Sequence, residues 1–150
     1  MRTFTRWVAC LGLVGGIGLI VASAKALCGS NELNHGCSQA TLNGFYIFSG
    51  DGVDVTTDTK FASAGYEVYR GDGTMYGVNT ITGNSGIFRN VRFTGTYTVN
   101  PDCSGTLTTR DVGSTTDLHY DQFIMPSGKE FSWVQTDVGI ISAGNERRNQ

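Results

Sequence analysis

Proline and charge are the two things this chain of 150 residues has least of. Only 2 prolines stand against 21 glycines, and with threonine and asparagine common and helix formers few, the composition describes many short strands turned by glycine and excludes a helical bundle. Charged residues make up 16% against 39% hydrophobic, which excludes a disordered polyelectrolyte and leaves one folded domain as the expectation. Histidine is limited to His35 and His119, no Gly-x-Ser-x-Gly elbow occurs, and no cysteine is flanked by an activating partner, so a hydrolase triad is excluded. A phosphate-binding glycine loop, a haem-attachment Cys-x-x-Cys-His and zinc-ligand spacing are also missing, and neither cofactor nor metal is expected.

Long apolar runs are limited to one, and it lies at the N-terminus. Arg2 and Arg6 precede an uncharged run over 7–22, and Ala22-Ser23-Ala24-Lys25-Ala26 then offers two overlapping A-x-A cleavage sites. The pattern predicts a signal peptide over 1–26, a mature start at Leu27, and export to a periplasm or beyond. The run is short for a membrane span and is weakened by Gly12, Gly15, Gly16 and Gly18, so no membrane association is expected after cleavage. Neither Cys10 nor Cys28 sits in a lipoprotein context. Cleavage removes Arg2, Arg6 and Lys25, which takes the basic residues from 11 to 8 against 13 acidic and leaves a formal charge of −5. The basic residues that remain are dispersed and form no stripe interleaved with aromatics, so nucleic acid and anionic membranes are excluded as partners.

What is present is alternation. The most regular stretch, 93–109, has two halves in which apolar residues alternate with Thr or Ser, joined by Asn100-Pro101-Asp102, and it reads as an antiparallel hairpin. After an irregular lead-in over 27–42, strands are predicted at 43–49, 61–70, 74–82, 87–99, 103–112, 118–125, 130–135 and 140–147, with a polar loop over 50–59. The first strand is apolar on both faces and is expected to be buried on both. Eight strands joined by short glycine-rich turns make an up-and-down meander, and closure removes its exposed edges. The expected fold is all-β, a single antiparallel barrel of about eight strands over 43–150, with an open sandwich as the alternative.

An eight-stranded barrel has room inside for side chains or for one small ligand. Alternation points Val91, Phe93, Gly95, Tyr97 and Val99 inward on the fourth strand. It does the same for Leu118, Tyr120, Gln122 and Ile124 on the sixth, and for Phe131, Trp133 and Gln135 on the seventh. On the second strand the choice between Gly65, Glu67, Tyr69 and Ala64, Tyr66, Val68, Arg70 is open. Tyr69, Phe93, Tyr97, Tyr120, Gln122, Trp133 and Gln135 are the candidate ligand-lining residues. A cavity and a filled core compete for these aromatics equally well.

The mature chain keeps Cys28, Cys37 and Cys103, so at most one internal disulfide forms. Cys28–Cys37 would staple a local loop and Cys37–Cys103 would tie the lead-in to the hairpin; loop-closure entropy gives roughly 2 to 3 against roughly 4 kcal/mol, which favours the second. A cysteine before Leu42-Asn43-Gly44-Phe45-Tyr46, then Gly95-Thr96-Tyr97-Thr98-Val99-Asn100-Pro101-Asp102-Cys103-Ser104-Gly105-Thr106, then Thr136-Asp137-Val138-Gly139 and Ser142-Ala143-Gly144 resembles a group of exported bacterial small β-barrels of the allene oxide cyclase-like or calycin-like kind. The resemblance implies the barrel, export and the Cys37–Cys103 pairing, and it implies no one activity, because barrels of this class include cyclases of polyenes or polyketides.

Three clusters are candidates for chemistry. Asp117, His119 and Asp121 share a strand face at period two and form a possible metal or base cluster, whose ordinary reading is a solvated outer face. Asp51, Asp54 and Asp58 in the 50–59 loop are a possible calcium site without EF-hand spacing. Glu67, if it faces the lumen, is a candidate catalytic acid or base because desolvation raises a carboxyl's pKa; otherwise it is a rim carboxylate paired with an arginine. The functional expectation is an exported barrel that binds a small, largely apolar molecule. The alternatives are a barrel cyclase or isomerase acting on a flexible polyene or polyketide-like substrate, and a structural module with a filled interior.

Overall fold

Period-two alternation takes hold at Asn43 and never gives way to helical spacing. The computed structural model describes residues 36–149, and the expected signal peptide, Cys28 and His35 lie outside the described residues. A 3-10 turn at Gln39–Thr41 leads into eight strands: β1 Asn43–Asp54, β2 Thr59–Arg70, β3 Thr74–Gly83, β4 Gly86–Val99, β5 Ser104–Asp111, β6 Leu118–Ile124, β7 Glu130–Gln135 and β8 Ile140–Arg148. Each pairs antiparallel with the next, and β8 returns to β1 in a register that runs from Tyr46 opposite Arg148 to Asp54 opposite Ile140. The barrel is closed, as the meander predicts, and the sandwich alternative is set aside. Among the described residues no helix is long and apolar enough to cross a membrane.

Two expectations for the first strand are corrected. The predicted loop over 50–59 is strand as far as Asp54, because Gly50 and Gly52 are not turn glycines; they face inward where neighbours leave no space for a side chain. A Cβ at Gly50 would lie 2.5 Å from the Trp133 ring. Nor is β1 buried on both faces. Tyr46 and Phe48 point into the barrel, whereas Phe45 and Ile47 are 37% and 51% exposed on its outer wall, where Phe45 stacks on Tyr66 at 5.0 Å. A single closed sheet has one interior, and no second layer covers its outside.

The same geometry settles β2, whose buried set is Glu67 and Tyr69. On β4, Phe93 and Tyr97 are buried as expected, but the alternation breaks before them. Register slips between Asn79 and Ile81 opposite an extra residue near Asn90, whose φ of 56° is left-handed, and before this bulge Ile87 and Phe88 are both exposed.

One end of the barrel is closed. Leu42, Tyr46, Tyr69, Met75, Tyr97 and Phe131 fill it, with Tyr69 meeting Tyr46, Tyr97 and Phe131 edge-on at 5.3, 4.9 and 5.6 Å. The 3-10 turn lies across that end. The Tyr97 hydroxyl reaches the carbonyls of Gln39 (3.0 Å) and Leu42 (2.9 Å), and the Gln39 side-chain amide donates to the Tyr97 carbonyl (3.3 Å). Tyr46 donates to the Gly128 carbonyl at 2.6 Å. A disulfide joins Cys37, just before the turn, to Cys103 in the β4–β5 connection, so the Cys28–Cys37 alternative does not form. Tyr97→Phe should lower stability by about 1 to 2 kcal/mol, since the one phenol proton that the Gln39 and Leu42 carbonyls share is lost at a largely buried position. Urea unfolding monitored by circular dichroism measures it, and an unchanged midpoint would mean that the hydroxyl holds nothing in place.

Candidate functional site

The opposite end is open. There the inner faces of all eight strands run on past the aromatic floor and enclose a cavity of about 590 Å³. Its walls are mainly apolar and aromatic, from Phe48, Phe61, Ile81, Phe93, Leu107 and Trp133. The volume arises from small residues on the inner faces. Ser63 and Ser142 line it, and the glycines on β1 and β8 beside Trp133 let the indole lie against the wall.

Four of the candidate lining residues, Phe93, Tyr120, Trp133 and Gln135, line this cavity. Tyr120 and Trp133 meet edge-on at 5.3 Å. The other three, Tyr69, Tyr97 and Gln122, face inward nearer the closed end, where they form the floor and its supports. The Gln122 amide donates to the Tyr69 hydroxyl at 3.1 Å, and Gln122 is fully buried. The reason is axial position, which face periodicity does not encode: residues on one inner face are split between a filled half and a hollow half.

Glu67 lines the cavity at 5% exposure, and Glu146 of β8 lies near it at 2%. β2 and β8 flank β1, and beside its inner face the two carboxyls meet in a side-chain hydrogen bond, beyond which neither Glu146 oxygen nor Glu67 Oε2 has a partner. Burial pushes Glu67 up to about 7, with the nearby Tyr69 hydroxyl pulling partly back. Burial also raises Glu146 well above the ordinary carboxyl range, and the negative charge of Glu67 raises it further. Desolvation likewise raises Tyr69 and Tyr120 far above the usual phenol value. The floor of the cavity therefore favours protonated, uncharged groups.

Glu146 is the buried cavity carboxyl that the sequence reading missed. The inner face of β8 is Ile140, Ser142, Gly144 and Glu146, and the outer is Ile141, Ala143, Asn145 and Arg147, so with one isoleucine on each face hydrophobicity does not tell the two apart. The signal lies outside the strand: β8 has to close against β1, and the Trp133 ring against Gly144 makes a small inner face necessary.

The mouth is acidic. Asp54, Asp111, Asp117 and Asp137 also line the cavity, six carboxyls in all with Glu67 and Glu146, and no described lysine, arginine or histidine lines it. Asp111 is raised by burial. Asp117 is held low by a bidentate contact with Arg110, at 2.6 and 2.8 Å. Asp137 is partly desolvated, yet hydrogen bonds from Gln135 and from the backbone and ring of His119 hold it below its ordinary value.

These contacts dissolve the other two predicted clusters. Asp117 pairs with Arg110 and His119 with Asp137, while Asp121 is exposed on the outer wall. Asp51 and Asp54 lie three residues apart in one strand and so face opposite sides, and Asp54 caps the β1–β2 turn through Thr56 and Thr57. Among the described residues, no group of three or more acidic, histidine or cysteine side chains is placed to hold a metal ion.

Comparison with known protein families and with curated proteins gives no match. Among solved structures the chain is similar to a redesigned beta barrel, mFAP0, bound to DFHBI, at 20% identity and a TM-score of 0.51, over 72% of this chain and 99% of that one. It is similar also to a second redesigned barrel, mFAP1, bound to DFHBI, at 18% identity and a TM-score of 0.52, over 73% and 97%. What is shared is the fold. The chain is thus a small closed β-barrel, and of the resemblance noted in the sequence it is the barrel, with its Cys37–Cys103 bridge, that stands.

Proposed function

We propose that the protein is an exported barrel that binds a small, largely apolar molecule in the cavity at its open end, and that it belongs with the exported small barrels its sequence resembles. The observation that carries this reading is the cavity itself: about 590 Å³, apolar and aromatic in its walls, with a few polar groups converging at its floor. Small-molecule sites have this size and this make-up. A filled structural module is disfavoured for the same reason. The two redesigned barrels of similar fold are bound to DFHBI, so the fold accommodates a small ligand. The Cys37–Cys103 bridge supports an oxidising compartment, and the N-terminal charge and apolar pattern supports export.

Trp133 in the cavity wall supplies the readout. Mature protein titrated with a panel of apolar aromatic probes should show saturable changes in indole fluorescence, and Ser63→Trp, which fills the cavity from β2, should abolish binding as followed by calorimetry. Saturable binding that survives Ser63→Trp in a folded variant would place the ligand elsewhere.

A second reading is favoured by the facing carboxyls. With Glu67 as general acid or base, Glu146 as its charge-sharing neighbour and the walls folding a flexible polyene or polyketide-like substrate, the same cavity becomes that of a cyclase or isomerase. Its test is turnover of such a substrate: Glu67→Gln should lower kcat at least about a hundredfold, and unchanged turnover removes Glu67 from the mechanism.

A further inference from the structure

We infer that the molecule held in this cavity carries a hydrogen-bond-donating cationic nitrogen, an alkylammonium or amidinium on an apolar aromatic or aliphatic body, seated between Glu67 and Glu146. The inference rests on the binding reading above and names its ligand class.

Apart from the hydrogen bond between the two glutamates, the buried side-chain atoms without a partner among the described residues are Glu67 Oε2, Asn79 Oδ1, Gln122 Oε1 and both carboxyl oxygens of Glu146. Every one is an acceptor. Glu67, Asn79 and Glu146 line the cavity, and the amide of Gln122 is committed to Tyr69. Turning the group cannot make a carboxyl a donor, as it can an amide; only a proton does, and the proton held between the two glutamates is what a cation replaces. A ligand that brings only acceptors leaves the rest of this set unmet and is repelled by whichever glutamate is ionised. A ligand with no polar atoms leaves it unmet as well, and an unmet buried polar group is costly. An ammonium or amidinium brings several donors and a charge opposite to both glutamates, and hydrogen bonds of that kind are the strong ones.

The mouth supplies an independent observation. Asp54, Asp111, Asp117 and Asp137 ring the entrance; Arg110 pairs with Asp117 and His119 with Asp137, but no described basic side chain lines the cavity to hold an anion. A narrow apolar cleft lined by one sign of charge concentrates ions of the other sign. The faces of Phe93 and Trp133 in the wall suit a cation as well as an apolar body.

Proton linkage follows from the same geometry. The titratable groups around the pair are Tyr69 on β2, Tyr120 on β6 and Asp111 on β5, with Asp54, Asp117 and Asp137 at the mouth; none is basic. In the empty barrel the glutamates hold protons that a bound cation displaces. Affinity for the cation should therefore rise with pH between about 5 and 8, with protons released into the buffer.

The test uses three probes of one shape on the mature protein: 1-naphthylmethylamine, 1-naphthylmethanol and 1-naphthoate, titrated by calorimetry in two buffers of different ionisation enthalpy. The amine should bind about tenfold to a hundredfold more tightly than the alcohol. The carboxylate should not bind, and proton release should accompany the amine alone. In Glu146→Gln and in Glu67→Gln the amine-to-alcohol ratio should fall toward one. Alcohol or carboxylate binding as tightly as the amine overturns the ligand class while leaving the binding cavity standing. No heat and no Trp133 response from any of the three overturns both.

Discussion

Reducing the Cys37–Cys103 bridge should lower the stability of the barrel by about 4 kcal/mol, which for a domain of this size is a fall in Tm on the order of 15 °C. The bridge closes a loop with a sequence separation of 66 that contains β1, β2, β3 and β4, so most of the effect comes from the freedom that its loss restores to the unfolded chain. A native-state effect adds to it. Cys37 precedes the 3-10 turn that lies across the closed end, and without its anchor Leu42 and the Gln39 contacts of Tyr97 are held by the turn alone. Thermal unfolding with and without dithiothreitol, repeated on Cys37→Ser/Cys103→Ser, measures the shift. Limited proteolysis should find new cleavage around 36–42 in the reduced protein. Probe binding at the open end should persist below the lowered Tm, because the cavity lies at the other end of the barrel. A shift below about 1 kcal/mol would show that the closed end holds together without the bridge.

How far the site could be read from the sequence divides along physical lines. The barrel was legible because period-two alternation and glycine turns act locally and agree with one another from β2 to β7. Gly50 and Gly52 read as a loop because glycine in a strand and glycine in a turn look alike; what distinguishes them here is distant in sequence, the Trp133 ring against Gly50 and the Ile141–Ser142 segment of β8 against Gly52. Phe45 and Ile47 were placed in a core because nothing in a single strand reports that a closed sheet has one interior. Glu67 could be named but not oriented, since both faces of β2 mix apolar with polar residues. Glu146 left no local sign, because β8 carries one isoleucine on each face and only small or polar residues after them. The Asp117, His119 and Asp121 cluster is a period-two pattern whose members part in the fold: Asp117 pairs with Arg110, His119 with Asp137, and Asp121 is exposed on the outer wall.

The pair Glu67 and Glu146 makes the remaining prediction, an inverted pH dependence of stability over part of the range. A carboxyl whose folded pKa is raised holds its proton more tightly in the barrel than in the unfolded chain. It stabilises the fold fully below its unfolded value and ceases to do so as pH rises through its folded value. For Glu67 that window runs from 4.5 to about 7, and for Glu146, raised by burial and by Glu67, it extends further up. One such window is worth about 3 kcal/mol. Tm should therefore fall as pH is raised from about 5 to 8. At the acid end the sign reverses: Asp54 and Asp117, held low by hydrogen bonds from Thr56 and Arg110, contribute stability that is lost as pH drops through their depressed values. The optimum then lies on the acid side of neutrality. Glu67→Gln and Glu146→Gln each remove a group that has to be desolvated as an anion above neutrality, so each should raise Tm at pH 8, flatten the slope and leave Tm near pH 5 little changed. A Tm that is level from pH 5 to 8 in the unmodified protein would mean that the two carboxyls reach water in solution, and the donor-bearing ligand inferred for them would lose its strongest support. A slope that the glutamine variants abolish, and that a bound ammonium probe also abolishes by taking the place of the protons, would tie stability and ligand binding to the same two oxygen pairs.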